Sequence, residues 1–374
     1  MSRFFDLVSR QVREMGGYAQ SPPPGRVNGQ RQVVRLDSNE NPFGPSPKAV
    51  EAMRRALALS NAYPDDDCTE LRRKLAGLHE IPPEQVLVTA GSTGMLSLLC
   101  QTLLGPGLNA VTSERSFIVY GMAVHAAGAQ VVTVPAPDDG LDLDAMLGAI
   151  NEDTRLVFVA NPNNPTGTLH DAAAIDKFLN EAPGHVVIVL DEAYYEFAAD
   201  FAARRKVEYS RALEYVKQGA SVVVLRTFSK VHGLAGLRIG YGLGPAELLS
   251  YCTRMRSTFS ISSMAQAAAF AALDDRTHVA HTILNNSEQA QILGVALSEM
   301  GFRVVPTWAN FLYCDLGREA GEVAEKLRGQ GIGVRPLGGW GAPSCLRVSI
   351  GTAAQNRALL QALGKVLSAT AQSD

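Results

Sequence analysis

The feature that most constrains this fold is a repeated alternation between short β-branched runs and helical segments. The apolar runs include "QVLVTA", "QVVTVPA", "TRLVFVANP", "HVVIVLDEA" and "SVVVLRTFS", and segments with helical spacing separate them. Parallel strands need long crossover connections, which helices usually supply. Strands that are apolar on both faces must also be covered on both faces. The alternation therefore predicts an α/β fold with a mainly parallel sheet between layers of helices.

The chain length and local composition predict a division into domains. At 374 residues the chain exceeds the size of most single hydrophobic cores, so we expect two domains. Residues 1–43 are rich in proline, glycine and polar residues, which indicates an extended N-terminal arm. Residues 44–260 carry the alternating pattern of a large domain, and residues 261–374 are expected to form an interdomain helix and a small C-terminal domain. In "DCTELRRKLAGL", Asp67 and Glu70 have the spacing of a helix-capping box.

The composition argues against several classes of partner and site. The net charge is −3 and there is no long basic or acidic run, so we expect binding to neither nucleic acid nor a membrane surface. The five cysteines are far apart and contain no C-x-x-C pair, and the seven histidines have no ligand-like spacing. We therefore expect no metal site and no disulfide framework, and a cytoplasmic location.

Polar residues that directly follow the apolar runs are the first candidates for a site, because ligands bind at the carboxyl ends of parallel strands. Gly91, Ser92 and Thr93 open a helix after one run, where backbone N–H groups favour a phosphate. Asn164 lies in "VANPNNPTG", and Asp191 follows "VVIVL", where a carboxylate needs a positive partner. Each feature alone is also compatible with an ordinary cap or turn.

The stretch "TFSKVHGLAGLRIGYG" places Lys230 at the end of a strand, close in sequence to Thr227, Ser229 and Arg238. A surface turn with an incidental charge is one interpretation. The other is a functional amine, because burial and neighbouring cations lower a lysine pKa and make the free amine a nucleophile and a base. A lysine, a carboxylate and a phosphate cradle are the groups that pyridoxal phosphate (PLP) requires.

The order of six motifs is similar to that of the fold-type-I, PLP-dependent aminotransferases. The motifs are "YPDDDCTELRR", "GSTG", "NPNNPTG", "DEAYYEF", "TFSKVHGLAGLRIGYG" and "LRVSIGT". The early "LDSNENPFGPSP" resembles the histidinol-phosphate aminotransferase branch and its aromatic aminotransferase relatives. The resemblance runs from about Leu36 to the C-terminus. It implies a large domain with a mainly parallel seven-stranded sheet and a smaller C-terminal α+β domain.

The resemblance also implies roles for individual residues. Lys230 would form the Schiff base with the cofactor and move the substrate proton, while Asp191 would keep the pyridine nitrogen protonated. Tyr194 and Asn164 would hydrogen-bond the ring hydroxyl, and Tyr120 would stack on the ring. The residues implied at the cofactor phosphate are Gly91, Ser92, Thr93, Thr227, Ser229 and Arg238, with Tyr63 reaching the phosphate of a neighbouring subunit. This chain has Thr93 and Gly94 where many relatives have an Asp-Glu pair, so a neutral hydroxyl and backbone amides are expected there.

The implied reaction is transamination between histidinol phosphate and 2-oxoglutarate in histidine biosynthesis, by a homodimer with shared active sites. Arg347 would bind an anionic group of the substrate. Further substrate contacts are expected from Arg335, Asn39 and Tyr18. An aromatic amino-acid aminotransferase is the alternative, because phenylalanine and histidinol phosphate both offer one anion and one ring. A PLP decarboxylase or lyase of the same fold is a further alternative, since it would use the same lysine and aspartate.

Overall fold

The computed structural model describes residues 4–5, 7–9, 12–13 and 34–370. Within these ranges a seven-stranded sheet has the order β2-β8-β7-β6-β5-β3-β4, and β8 alone pairs antiparallel to its neighbours. This confirms the predicted mainly parallel sheet. Its strands are β2 (Val86–Thr89), β3 (Asn109–Ser113), β4 (Gln130–Val134), β5 (Thr154–Ala160), β6 (Val187–Asp191), β7 (Val222–Thr227) and β8 (Gly240–Leu243).

Helices cover both faces of this sheet, because alternate strand residues enter two different apolar clusters. Val157 and Val159 pack on one face, whereas Leu156 and Phe158 pack on the other. The first face is covered by α1 (Pro47–Ala56), α2 (Thr69–His79), α5 (Leu143–Gly148), α6 (Ala172–Glu181), α8 (Ala212–Lys217) and α10 (Ser263–Ala272). The second face is covered by α3 (Gly91–Leu103), α4 (Val119–Ala126) and α9 (Ala246–Met255).

A second sheet lies toward the C-terminus, in the antiparallel order β12-β13-β10-β9. Its strands are β9 (Arg303–Val305), β10 (Phe311–Asp315), β12 (Arg335–Leu337) and β13 (Ala342–Ser349). Strands β9, β10 and β13 share an apolar cluster with α11 (Arg276–Glu299), α12 (Ala320–Gly329) and α13 (Ala353–Thr370). Helix α7 (Tyr195–Arg205), which follows β6, packs on α11.

Two sets of contacts cross the predicted domain boundaries. β1 (Val34–Arg35) pairs parallel with β11 (Ile332–Gly333), and Leu36 is buried in the C-terminal cluster, so this part of the predicted arm packs on the small domain. At the other boundary, α10 lies beyond residue 260 and is still part of the large-domain core. Its alanine-rich face buries small side chains against α1, which explains why the core continues to Ala272.

The expected capping box at α2 is wrong. Cys68, and not Asp67, occupies the N-cap position with a left-handed backbone, so the helix begins one residue later than the pattern indicated. Asp65 is therefore the residue whose side chain accepts a hydrogen bond from the Thr69 amide, at 2.7 Å. Glu70 pairs with Arg73 instead.

The segment from residue 37 to 42 is an irregular stretch that crosses the carboxyl edge of the large sheet. Asn41 donates from Nδ2 to the Val231 carbonyl at 2.8 Å. Gly233 has a φ of +69°, and a Cβ at this position would lie 2.1 Å from the Gly44 carbonyl oxygen. This close backbone approach fixes the crossing segment against the loop that carries Lys230. No helix in the described ranges has both the length and the apolar character needed to cross a bilayer.

Candidate active site

A cavity of about 550 Å³ lies at the carboxyl edge of the large sheet, next to the crossing segment. Cavities of this size accommodate a cofactor or a small substrate. Sequence-predicted residues from eight separate parts of the chain meet here. Those that line the cavity are Asn39, Ser92, Thr93, Tyr120, Asn164, Asp191, Tyr194, Thr227, Ser229, Lys230, Arg238, Arg335 and Arg347.

Lys230 follows β7 and presents its amine to the cavity. Its Nζ lies 3.4 Å from the carbonyl oxygen of Asn39 and 5.5 Å from the ring centroid of Tyr194. Burial lowers the pKa of this amine to about 7, and the guanidinium groups of Arg347 and Arg238 act in the same direction. An appreciable fraction of the amine is therefore unprotonated near neutral pH, as a nucleophile or base requires.

Asp191 ends β6 and is 5% exposed. Burial raises the pKa of its carboxyl to about 6, while hydrogen bonds from Tyr120 and the Ala193 amide favour the ionised form. The Tyr120 hydroxyl donates to Oδ2 at 2.9 Å, and the Ala193 N–H donates to Oδ1 at 3.1 Å. A buried carboxylate with these partners is suited to meet a cationic ring nitrogen.

The start of α3 and the loop after β7 together form an anion cradle. Gly91 has a φ of +73°, and a Cβ there would lie 2.7 Å from Nη2 of Arg238, so the guanidinium occupies space that any larger residue would fill. The same Nη2 lies 3.5 Å from Oγ1 of Thr93. The Thr227 hydroxyl donates to the Ser229 hydroxyl at 2.9 Å, and this bond orders both hydroxyls next to the cradle. A helix N-terminus, a guanidinium and hydroxyls are the groups that hold a phosphate.

Asn39 organises the opposite wall and has a left-handed backbone with a φ of +54°. Its amide N–H donates to Oγ of Ser349 at 2.7 Å, and its side chain donates to the Tyr194 hydroxyl at 3.0 Å. Its carbonyl also accepts from Asn310 at 3.1 Å. These contacts fix the carbonyl that faces the Lys230 amine.

Two arginines of the C-terminal sheet close one end of the cavity. Arg347 in β13 is 6% exposed and donates to Oδ1 of Asn164 and to the Asp37 carbonyl, both at 2.7 Å. Arg335 in β12 directs Nε toward the same carbonyl at 3.4 Å. Arg335 and Arg347 are direct partners in the sheet register. The pair concentrates positive charge that suits a carboxylate or phosphate.

The remaining predicted tyrosines have different positions. The Tyr120 ring stacks on Phe158, with centroids 4.8 Å apart and planes at 5°. Its hydroxyl donates to Asp191. The stacking of Tyr120 on a cofactor ring stays a prediction. Tyr63 is 81% exposed and is not among the described residues that line this cavity. Tyr18 lies outside the described residues.

Reasoning from the sequence missed Glu40, Phe117 and Asn310. Glu40 and Phe117 line the cavity, and Asn310 supports the Asn39 carbonyl from the start of β10. None of the three directly follows a strand of the large sheet, and a position directly after a strand is the sequence pattern that indicates a site residue in this fold. Glu40 does stand next to Asn39 in the "SNENP" motif, so proximity within that motif was the available clue.

Comparisons with known proteins match this geometry. A family model described as aminotransferase class I and II matches residues 31–363. The chain is 44% identical to histidinol-phosphate aminotransferase 2 of Pseudomonas aeruginosa, over 98% of this chain and 99% of that protein. It is 42% identical to the histidinol-phosphate aminotransferase of Akkermansia muciniphila, over 90% of each. The crystal structure of histidinol-phosphate aminotransferase from Sinorhizobium meliloti in complex with pyridoxal-5'-phosphate superposes with a TM-score of 0.86, at 28% identity, over 98% of this chain and 99% of that one.

Proposed function

Because the chain belongs to the class I and II aminotransferases, we propose that it transfers an amino group between histidinol phosphate and 2-oxoglutarate, a reaction of histidine biosynthesis. It is a PLP-dependent enzyme of fold type I. The observation that carries the proposal is one cavity holding an amine of lowered pKa, a buried carboxylate and, at one end, a pair of arginines.

The residues of the cavity fit PLP. Space next to Gly91 and Arg238 is bounded by N–H groups, hydroxyls and a guanidinium, which suits the cofactor phosphate. Asp191 lies on the floor, where its carboxylate would hold the ring nitrogen, and Asn164 and Tyr194 would lie beside the ring hydroxyl. When bound, the cofactor supplies an aldehyde that reacts with amines and a ring that accepts electrons from the broken Cα–H bond.

The protein's own groups then bind the substrate, orient it and move its proton. Arg347 and Arg335 hold the anionic group, which fixes the amine-bearing carbon near Lys230. The Lys230 amine acts first as a base, which takes the proton from the substrate Cα. It then acts as an acid, which gives the proton back and so completes a 1,3 proton shift. The Asn39 carbonyl, 3.4 Å from Nζ, holds the amine in the cavity while it carries that proton.

The enzyme acts as a homodimer in this proposal, and Tyr63 reaches the cofactor phosphate of the partner subunit. The high exposure of Tyr63 and its position outside its own cavity support this arrangement. The five cysteines are buried free thiols, which suits the reducing cytoplasm.

The test is a steady-state comparison of amino donors, with 2-oxoglutarate as acceptor. We expect kcat/KM for histidinol phosphate to exceed that for unphosphorylated histidinol by about tenfold or more, because the arginine pair forms charge-assisted bonds to the phosphate. We also expect it to exceed kcat/KM for phenylalanine and tyrosine. Histidinol is the matched control for the phosphate. Faster turnover of phenylalanine or tyrosine would instead assign an aromatic aminotransferase, and release of carbon dioxide without glutamate formation would assign a decarboxylase.

A further inference from the structure

The cavity contains a carboxylate to which the reaction described above assigns no task. Among the described residues, the carboxylates that line it are Asp191 and Glu40. Asp191 already accepts hydrogen bonds on both oxygens, from Tyr120 and Ala193. The Glu40 side chain is 40% exposed, and it lies close enough to Lys230 to oppose the fall of that amine's pKa.

The crossing segment places three kinds of group along one wall in a fixed order. The Asp37 carbonyl accepts from both Arg335 and Arg347, so this end of the wall carries the anion site. Two residues further, the Asn39 carbonyl faces the Lys230 amine. Glu40 comes next. Three residues span at most about 11 Å, so the arginines, the lysine and Glu40 lie within the reach of one small substrate.

Histidinol phosphate has a matching order of groups. Its amine-bearing carbon stands between a methylene that carries the phosphate and a methylene that carries the imidazole ring. With the phosphate on the arginines and that carbon at Lys230, the ring extends toward Glu40. We infer that Glu40 accepts a hydrogen bond from the imidazole N–H and thereby selects an imidazole over a phenyl ring. This inference rests on the proposed function, and it names the residue that reads the ring.

A purely structural role for Glu40 is the competing explanation. Its Oε1 lies 3.4 Å from Nη2 of Arg35, and the two side chains are 40% and 30% exposed. Exposed ion pairs of this kind contribute little to stability. The described residues place no hydrogen-bond donor on Oε2, so this oxygen is available to a ligand. Arg35 itself does not line the cavity, which makes the two roles separable.

The test compares two donors that differ in the ring alone, histidinol phosphate and phenylalaninol phosphate. In the Glu40→Ala holoenzyme, kcat/KM for histidinol phosphate should fall by about 10- to 100-fold, because a charge-assisted hydrogen bond is lost. For phenylalaninol phosphate it should change by less than about threefold, since a phenyl ring offers no donor. Glu40→Gln, which keeps a neutral acceptor, should lie between the wild type and Glu40→Ala.

A binding measurement separates recognition from turnover. The phosphate ester of 3-(imidazol-4-yl)propanol is histidinol phosphate without its amine, and 3-phenylpropyl phosphate is its phenyl counterpart. Calorimetry with the holoenzyme should show that Glu40→Ala weakens the first ligand by about tenfold or more and leaves the second nearly unchanged.

Arg35→Ala is the control, and it should preserve the wild-type preference between the two donors. If Arg35→Ala reproduces the loss seen in Glu40→Ala, Glu40 acts through its ion pair and the inference is wrong. An unchanged preference in Glu40→Ala would also overturn it. A wild-type enzyme without preference for histidinol phosphate over phenylalaninol phosphate would instead overturn the proposed function.

Discussion

The buried amine of Lys230 has an energetic cost that depends on pH. Burial and two nearby guanidinium groups lower its pKa from 10.5 to about 7. Below pH 7 the folded and unfolded chains both carry the charge, so the folded state bears the full cost of burying it. Between pH 7 and 10.5 the unfolded chain retains a proton that the folded chain has lost, so stability rises with pH. The property that prepares this amine for chemistry therefore destabilises the cofactor-free protein at neutral pH.

Replacing Lys230 with methionine should stabilise the cofactor-free protein more at pH 6.5 than at pH 9. The expected difference between the two gains is about 2–3 kcal/mol, because each pH unit between the folded and unfolded pKa is worth about 1.4 kcal/mol. Urea unfolding at one protein concentration measures it. Lys365→Met, at an exposed position, is the matched control for exchanging a lysine for a methionine. Equal gains at both pH values for Lys230→Met would contradict the lowered pKa.

At the scale of secondary-structure elements, an ion pair fixes the ends of β6 and β7. Glu192 and Arg226 are 3% and 6% exposed. Oε2 of Glu192 accepts from Nε of Arg226 at 3.1 Å and from Nη2 at 2.7 Å. Asp191 precedes the glutamate, and Thr227 follows the arginine. The ion pair thus holds together the two strand ends that place Asp191 and Thr227 in the cavity.

Removing both partners of this pair should cost less than the two single losses added together. Arg226→Met leaves the Glu192 carboxylate buried without its cation, so we expect a loss of about 3–5 kcal/mol in the free energy of unfolding. In the double variant with Glu192→Gln the loss should be smaller than the sum of the two single losses. Urea unfolding of the four proteins measures this coupling. If the loss in the double variant equals the sum of the two single losses, the two side chains do not stabilise each other.

Elements that local sequence determines were predictable, and those that depend on packing were not. The run "VVIVL" fixes β6, so the position of Asp191 at its end follows from the sequence. The start of α2 did not follow, because the left-handed backbone of Cys68 moves the cap to Asp65. Glu40 belongs to an irregular segment, and its place beside Lys230 depends on contacts such as that of Gly233 with Gly44. Such contacts join distant parts of the chain and leave no periodic signal.

At the scale of the whole molecule, one buried carboxylate joins the two domains. Asp139 is 3% exposed and accepts from Arg115 of the large domain at 2.8 Å and from Arg303 of β9 at 2.6 Å. Trp340 also crosses the boundary and donates to the Ser116 carbonyl at 3.0 Å. These contacts fix the arginine end of the cavity relative to the lysine end. The distance between the arginine pair and Lys230 is therefore set before a substrate that spans both ends binds.

An exposed aromatic surface beyond the cavity is the place where a second subunit is expected. Tyr63 stacks on Phe259 with centroids 4.5 Å apart, and Leu57 and Leu59, a few residues earlier in the chain, are 55% and 60% exposed. Exposed apolar side chains in such a group are typical of an interface. If this surface meets its counterpart in the dimer, Tyr63 of one subunit completes the cofactor cradle of the other.

Mixing two inactive variants tests this arrangement. In a hybrid of Tyr63→Ala and Lys230→Ala subunits, one of the two sites combines an intact lysine with an intact tyrosine. Random exchange of subunits should therefore restore about one quarter of wild-type activity. Mixing Lys230→Ala with Asp191→Ala is the matched control, because both residues belong to the same subunit's cavity and each hybrid site keeps one defect. Recovery in the first mixture and not in the second places Tyr63 in the partner's site, whereas no recovery in either means that each subunit is catalytically self-contained.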